Sequence, residues 1–121
     1  MSEPPAAGVP AVMRAVALAP RPEGAHAIVE ERPVPEPGPR EVLVRVHSAG
    51  LNRGEILRRA LLREGQPVPN GIEFAGTVVE RGAGSTTPLG SRVMGHWRGC
   101  QAEYVAVDER LVMAVPDSLA T

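Results

Sequence analysis

Proline and glycine punctuate this chain so closely that few elements can run long: thirteen of each stand among 121 residues. A proline cannot donate to a sheet ladder or continue a helix, and a glycine supplies turn geometry that other residues resist. Between them lie short, valine-rich runs, the material of strands bounded by turns. VMRAVAL (12–18) and AHAIVEER (25–32), parted by Pro20-Arg21-Pro22-Glu23-Gly24, predict a hairpin. PVPEPGPR (33–40), with four prolines, must be a surface connection. EVLVRVHSAG (41–50) sets Val42, Val44 and Val46 against Glu41, Arg45 and His47, the period of two expected of a strand with one buried face. IEFAGTVVER (72–81) predicts another strand, in which Ala75 and Gly76 let a neighbouring backbone come close. SRVMG, QAEYVAV and LVMAV add three short strands, whereas EGQPVPNG and GAGSTTPLG read as loops.

One segment departs from this pattern. From Ala49-Gly50 the chain turns into NRGEILRRALLREG, where Asn52 is placed to cap a helix and Glu55, three residues on, to return the bond. Ile56 with Ala60, and Leu57 with Leu61, form an apolar stripe. Glu55 then faces Arg59 on the solvent side with Arg58 and Arg63, and Gly65 supplies the stop. Many short strands around one helix predict a mainly β domain, a small barrel or sandwich, over residues 12–121. Residues 1–11, rich in proline and alanine with little to bury, are expected to be a disordered tail.

Composition narrows the function. Net charge is −1 and the thirteen cations, all arginine, are scattered, so no basic stripe for nucleic acid forms and no lysine chemistry is available. No apolar run approaches the roughly 20 residues of a membrane helix. A single cysteine, Cys100, fits a cytoplasmic setting. His47, His96 and Cys100 are too dispersed for a metal site, and Cys100 has no activating partner in the sequence. Trp97, between glycines, either lines a cleft or packs half-buried. Capping alone accounts for an Asn at position 52.

SAGLNRGEILRR, GIEFAGTVVERGAG, PLGSRVMG, AEYVAV and VPDSL, in that order, resemble the catalytic domain of the medium-chain dehydrogenase/reductase superfamily, from about Met13 to the carboxyl terminus. The resemblance implies a GroES-like, partly open β-barrel with one or more short helices, packed against a separate Rossmann domain. Zinc-dependent members carry a ligand Cys and a ligand His where this chain has Asn52 and Ile72, so the resemblance implies no zinc and the quinone- and enone-reducing branch. It further implies NADPH as cofactor and a small carbonyl or quinone as substrate. Asn52 then gains a second, catalytic and cofactor-binding role beside the nicotinamide, its carboxamide N–H stabilising a developing oxyanion. Leu57, at a position where many quinone reductases carry Tyr, joins Trp97 as expected substrate-pocket lining. Gly82-Ala83-Gly84, the nearest approach to a phosphate loop, lies between strand candidates rather than before a helix. The expectation is therefore a catalytic-domain portion, inactive without a Rossmann domain, with a homo-oligomer as another possible assembly. The reading from a different class is a stand-alone GroES-like binding or assembly module without catalysis.

Overall fold

Val12–Ala19 (β1) and His26–Pro33 (β2) form the expected hairpin, antiparallel and in unbroken register from Val12 opposite Pro33 to Ala19 opposite His26. The structure, a computed structural model, describes residues 8–119. Of the expected tail, residues 1–7 lie outside the described residues. Further along, Val9 packs beside Met13, Leu43 and Tyr104, and Val34 donates its N–H to the Ala11 carbonyl at 3.0 Å.

The remaining elements are β3 (Glu41–Ala49), α1 (Arg53–Leu61), β4 (Val68–Pro69), β5 (Glu73–Arg81), β6 (Arg92–His96), β7 (Tyr104–Asp108), a 3-10 turn (Glu109–Leu111) and β8 (Val112–Ala114). They build two antiparallel sheets, ordered β2-β1-β4 and β7-β3-β5-β6-β8, and neither closes on itself. The fold is the mainly β, partly open GroES-like barrel that the resemblance implied. An isolated bridge between Ala15 and Ala102 joins the sheets, and the Val16 N–H donates to the Gln101 carbonyl beside it at 2.8 Å. β4 falls inside the stretch expected to be loop. Pro69 is tolerated there because β4 is an edge strand, where a missing N–H costs no ladder bond.

The strand expected to bury one face buries both along its first half. Val42 and Val44 face a cluster with Phe74, Val78, Val93, Val105 and Val107, while Leu43 between them joins Met13 and Tyr104 on the opposite side. Register shifts between Leu43 and Val44 and between Val46 and Ser48 turn the strand so that its end emerges into solvent. Burying side chains of this size stabilises by about 1.5–3 kcal/mol each, so β3 is the spine of the domain. Its neighbour β5 alternates strictly, with Phe74, Gly76, Val78 and Glu80 buried. A Cβ on Gly76 would run into the Arg45 carbonyl, which is the close backbone approach expected at this position.

Candidate functional site

The site grows from the turn that carries the chain out of β3. The Gly50 N–H donates to the Glu73 carbonyl at 3.1 Å, and any side chain on Gly50 would collide with the Glu73 carboxylate. That close fit brings the next turn against β5. The Asn52 carboxamide Nδ2 donates to Glu73 Oε1 at 3.3 Å, and His96 Nε2, arriving from β6, lies 3.5 Å from Glu73 Oε2. One carboxylate thus gathers side chains from three separate elements.

This arrangement corrects the expected cap. Asn52 occupies the N-cap position with extended backbone, but its side chain makes no capping hydrogen bond. Its amide is turned toward Glu73 instead, and only the Asn52 backbone carbonyl serves the helix, accepting the Glu55 N–H at 3.0 Å. Glu55 does not return the bond. It is buried at 8% exposure, where its Oε2 accepts from Gln101 Nε2 at 3.2 Å. The same Gln101 nitrogen donates to the Gly50 carbonyl at 3.2 Å, and Gln101 Oε1 accepts from the buried Asn70 at 2.7 Å. A polar chain from Asn70 through Gln101 to Glu55 therefore fastens the helix from beneath.

The face of α1 is reversed as well. Glu55 points into the barrel, and Arg59 reaches it too, donating through Nε to the Ala25 carbonyl at 3.1 Å while its own carbonyl accepts the Ala25 N–H at 2.7 Å. The expected apolar stripe, Ile56, Leu57 and Leu61, is exposed at 66%, 58% and 81%. The helix stops at Leu62, whose N–H donates to the Arg58 carbonyl, so Gly65 lies in the following loop and is not the cap.

Gly50, Glu73 and His96 line a cleft of about 410 Å³ whose remaining walls include Phe74, Met94 and Met113. Asn52 does not line it but bonds Glu73, which does. An asparagine amide has two N–H groups, and only one of them is needed for the bond to Glu73. Leu57 and Trp97 do not join the cleft. Leu57 is on the exposed helix face, and Trp97 is half-buried against the main cluster and lines a different cavity, with the Arg98 guanidinium 5.4 Å from its ring centre. Cys100 is fully buried, and burial pushes its thiol up to about 11, which suits packing and not nucleophilic attack.

The residues do not fit a zinc ion. Asn52 is a carboxamide, Ile72 has no donor in its side chain, and Glu73 is already engaged by Asn52 and His96. Among the described residues no group of three or more His, Cys, Asp or Glu side chains is arranged to hold a metal. Gly82 and Gly84 belong to the turn between β5 and β6, where the Gly82 N–H donates to the Glu41 carbonyl, and no helix follows to face a phosphate. No helix among the described residues is long and apolar enough to cross a membrane.

The sequence motifs did not reveal how Glu55, Asn70 and Gln101 converge. Gln101 stands at the head of an expected strand, and its partners lie 31, 46 and 51 residues away.

Comparison with known proteins agrees with this fold. Residues 38–117 match the family described as "Alcohol dehydrogenase GroES-like domain". Quinone oxidoreductase-like protein 2 of Mus musculus is 37% identical over 100 residues, an alignment covering 76% of this chain and 27% of that protein. Trans-enoyl reductase pydC of an Acremonium species is 31% identical over 130 aligned residues, covering 94% of this chain and 35% of the relative. The crystal structure of the human synaptic vesicle membrane protein VAT-1 homolog-like protein superposes with a TM-score of 0.78 at 27% identity, over 90% of this chain and 37% of that one. The chain thus spans between a quarter and two fifths of each relative. Fold, motif order and these matches place the chain in the alcohol dehydrogenase GroES-like domain family of the medium-chain dehydrogenase/reductase superfamily.

Proposed function

We propose that this domain is the substrate-binding, catalytic portion of a zinc-independent, cytoplasmic, NADPH-dependent reductase of quinones or enones. The observation that carries the reading is the Asn52 amide, released from capping and held by Glu73, whose carboxylate lines an apolar cleft. NADPH, held mainly by a Rossmann domain with Asn52 contacting it from this side, would supply the hydride. The chain's own part is to bind and orient the acceptor. Gly50 lets the Glu73 carboxylate close against the turn, Phe74 and Met94 exclude water, and the remaining Asn52 N–H stabilises charge on the acceptor oxygen. The α1 N-terminus adds to the same field.

The test titrates duroquinone or 2-cyclohexenone into isotope-labelled protein and follows amide resonances. Saturable shifts at Gly50, Glu73, Ala75 and His96, lost in Asn52→Ala, agree with the reading, whereas shifts elsewhere or none contradict it. NADPH added to this chain alone should show no enhancement of nucleotide fluorescence.

A second reading, an assembly module without catalysis, draws on the apolar face of α1, where Ile56 and Leu61 are exposed at 66% and 81%. Light scattering over a range of concentrations separates the two. Self-association abolished by Leu61→Gln supports assembly, and a monomer at all concentrations argues against it.

A further inference from the structure

Helix α1 is fastened by polar bonds, whereas the sheets are held by apolar burial. Of its nine residues only Glu55 is buried, and Ile56, Leu57 and Leu61 face solvent. Nothing intrinsic to the helix compensates. Nine residues fall short of the roughly 12–15 that an isolated helix needs in water, Gly54 lowers the propensity of the first turn, and the Asn52 side chain does not cap. The attachments are the bond between Glu55 and Gln101 and the two contacts of Arg59 with Ala25. The first of these is incomplete. Glu55 Oε1 and Asn70 Oδ1, on the two residues that bond the Gln101 amide, are both buried without a hydrogen-bond partner among the described residues. A buried carboxylate served by a single donor is costly, and exposure to water relieves that cost. By contrast Val42, Leu43 and Val44 of β3 are fully buried, each stabilising the sheets by about 1.5–3 kcal/mol.

We infer that α1 is a strap latched through Glu55, which opens and unwinds as a unit while both sheets stay intact. The open strap uncovers the Gln101 and Asn70 side chains. It also frees Asn52, whose backbone carbonyl accepts the Glu55 N–H, from its fixed place against Glu73. Closure therefore sets the Asn52 bond to a carboxylate that lines the cleft, and the cleft wall at Glu73 is complete only in the latched state. The strap belongs to the scaffold, so it holds whether or not the cleft receives a quinone or enone.

Hydrogen exchange of the intact chain, followed residue by residue by NMR without urea and in sub-denaturing urea, reads the opening. The amides of Leu57 to Leu62 should exchange more slowly than an unstructured peptide, yet at least about a hundred-fold faster than those of Val44 and Val78. Low urea should barely change the helix rates, because opening one short helix exposes little surface, while Val44 and Val78 respond with the slope of global unfolding. Gln101→Ala removes the donor to the latch and should speed α1 exchange about ten-fold, as the loss of a hydrogen bond to a charged group implies. If Gln101→Ala does not fold, Gly54→Ala, whose methyl meets nothing within 4 Å, should slow α1 exchange about three-fold. Helix amides as slow as that of Val44, or as steep in urea, mean that α1 leaves only with the whole fold. Exchange at the peptide rate leaves no closed strap, and α1 exchange unchanged by the substitution leaves no latch. Any of these overturns the inference.

Discussion

Glu109 shows how much of this fold can depend on one carboxylate. Its Oε1 accepts the backbone N–H groups of Thr86 and Thr87 and the hydroxyls of Ser85 and Thr87, so the loop after β5 closes over it. Those donors, the Thr86 N–H foremost, hold its pKa down at about 2, and Arg110 holds that of Asp108 at about 2 likewise. A carboxylate depressed in the folded state contributes stability that is full above its unfolded value and lost as pH falls through the folded one. The urea midpoint should therefore drop as pH is lowered from about 5 toward 2, and Glu109→Gln should flatten part of that dependence. Cys100 makes a second prediction. Near pH 8 its thiol should react with Ellman's reagent only as fast as the chain opens, and fully in concentrated urea. A fast reaction in the native protein would contradict the burial and the raised pKa described above. Gly76→Ala should cost about 1–3 kcal/mol by urea unfolding, because the Arg45 carbonyl occupies the space the methyl needs.

Among the elements, strands were legible and the helix face was not. Alternation and turn residues located the β1–β2 hairpin, β3, β5 and β6, because each buries residues whose types announce it. Leu43 escaped because a strand covered on both faces loses its period, and β4 escaped because two residues of an edge strand carry no pattern. Helix α1 misled for another reason. Its spacing of Ile56, Leu57 and Leu61 is that of a core-facing stripe, yet Glu55 and Arg59 are what fasten it to the barrel. Tertiary polar partners remote in sequence outweighed the local pattern. Leu61→Gln should accordingly change stability by less than about 0.5 kcal/mol, as at an ordinary surface position. Leu43→Ala should cost about 2–5 kcal/mol.

At the scale of the molecule, two incomplete sheets meet around β3, and the strand ends on one side present Glu73 and His96 to a cleft, with Asn52 bonded to Glu73. The fold was readable from motif order, and Asn52 could be singled out by the same route. The partition of Asn52, Leu57 and Trp97 among separate surroundings was not, because cavities arise from packing between elements that local sequence does not encode. The reading turns on the Asn52 side chain bonding Glu73 and not capping α1. The most direct test is Asn52→Asp, read as the urea midpoint of the whole chain at neutral pH. Asp caps a helix about as well as Asn and gains from the positive helix end, so a capping role predicts an unchanged or higher midpoint. Set against Glu73, the new carboxylate faces a like charge, and the account predicts a lower midpoint, whereas a midpoint equal to or above that of the parent would contradict it.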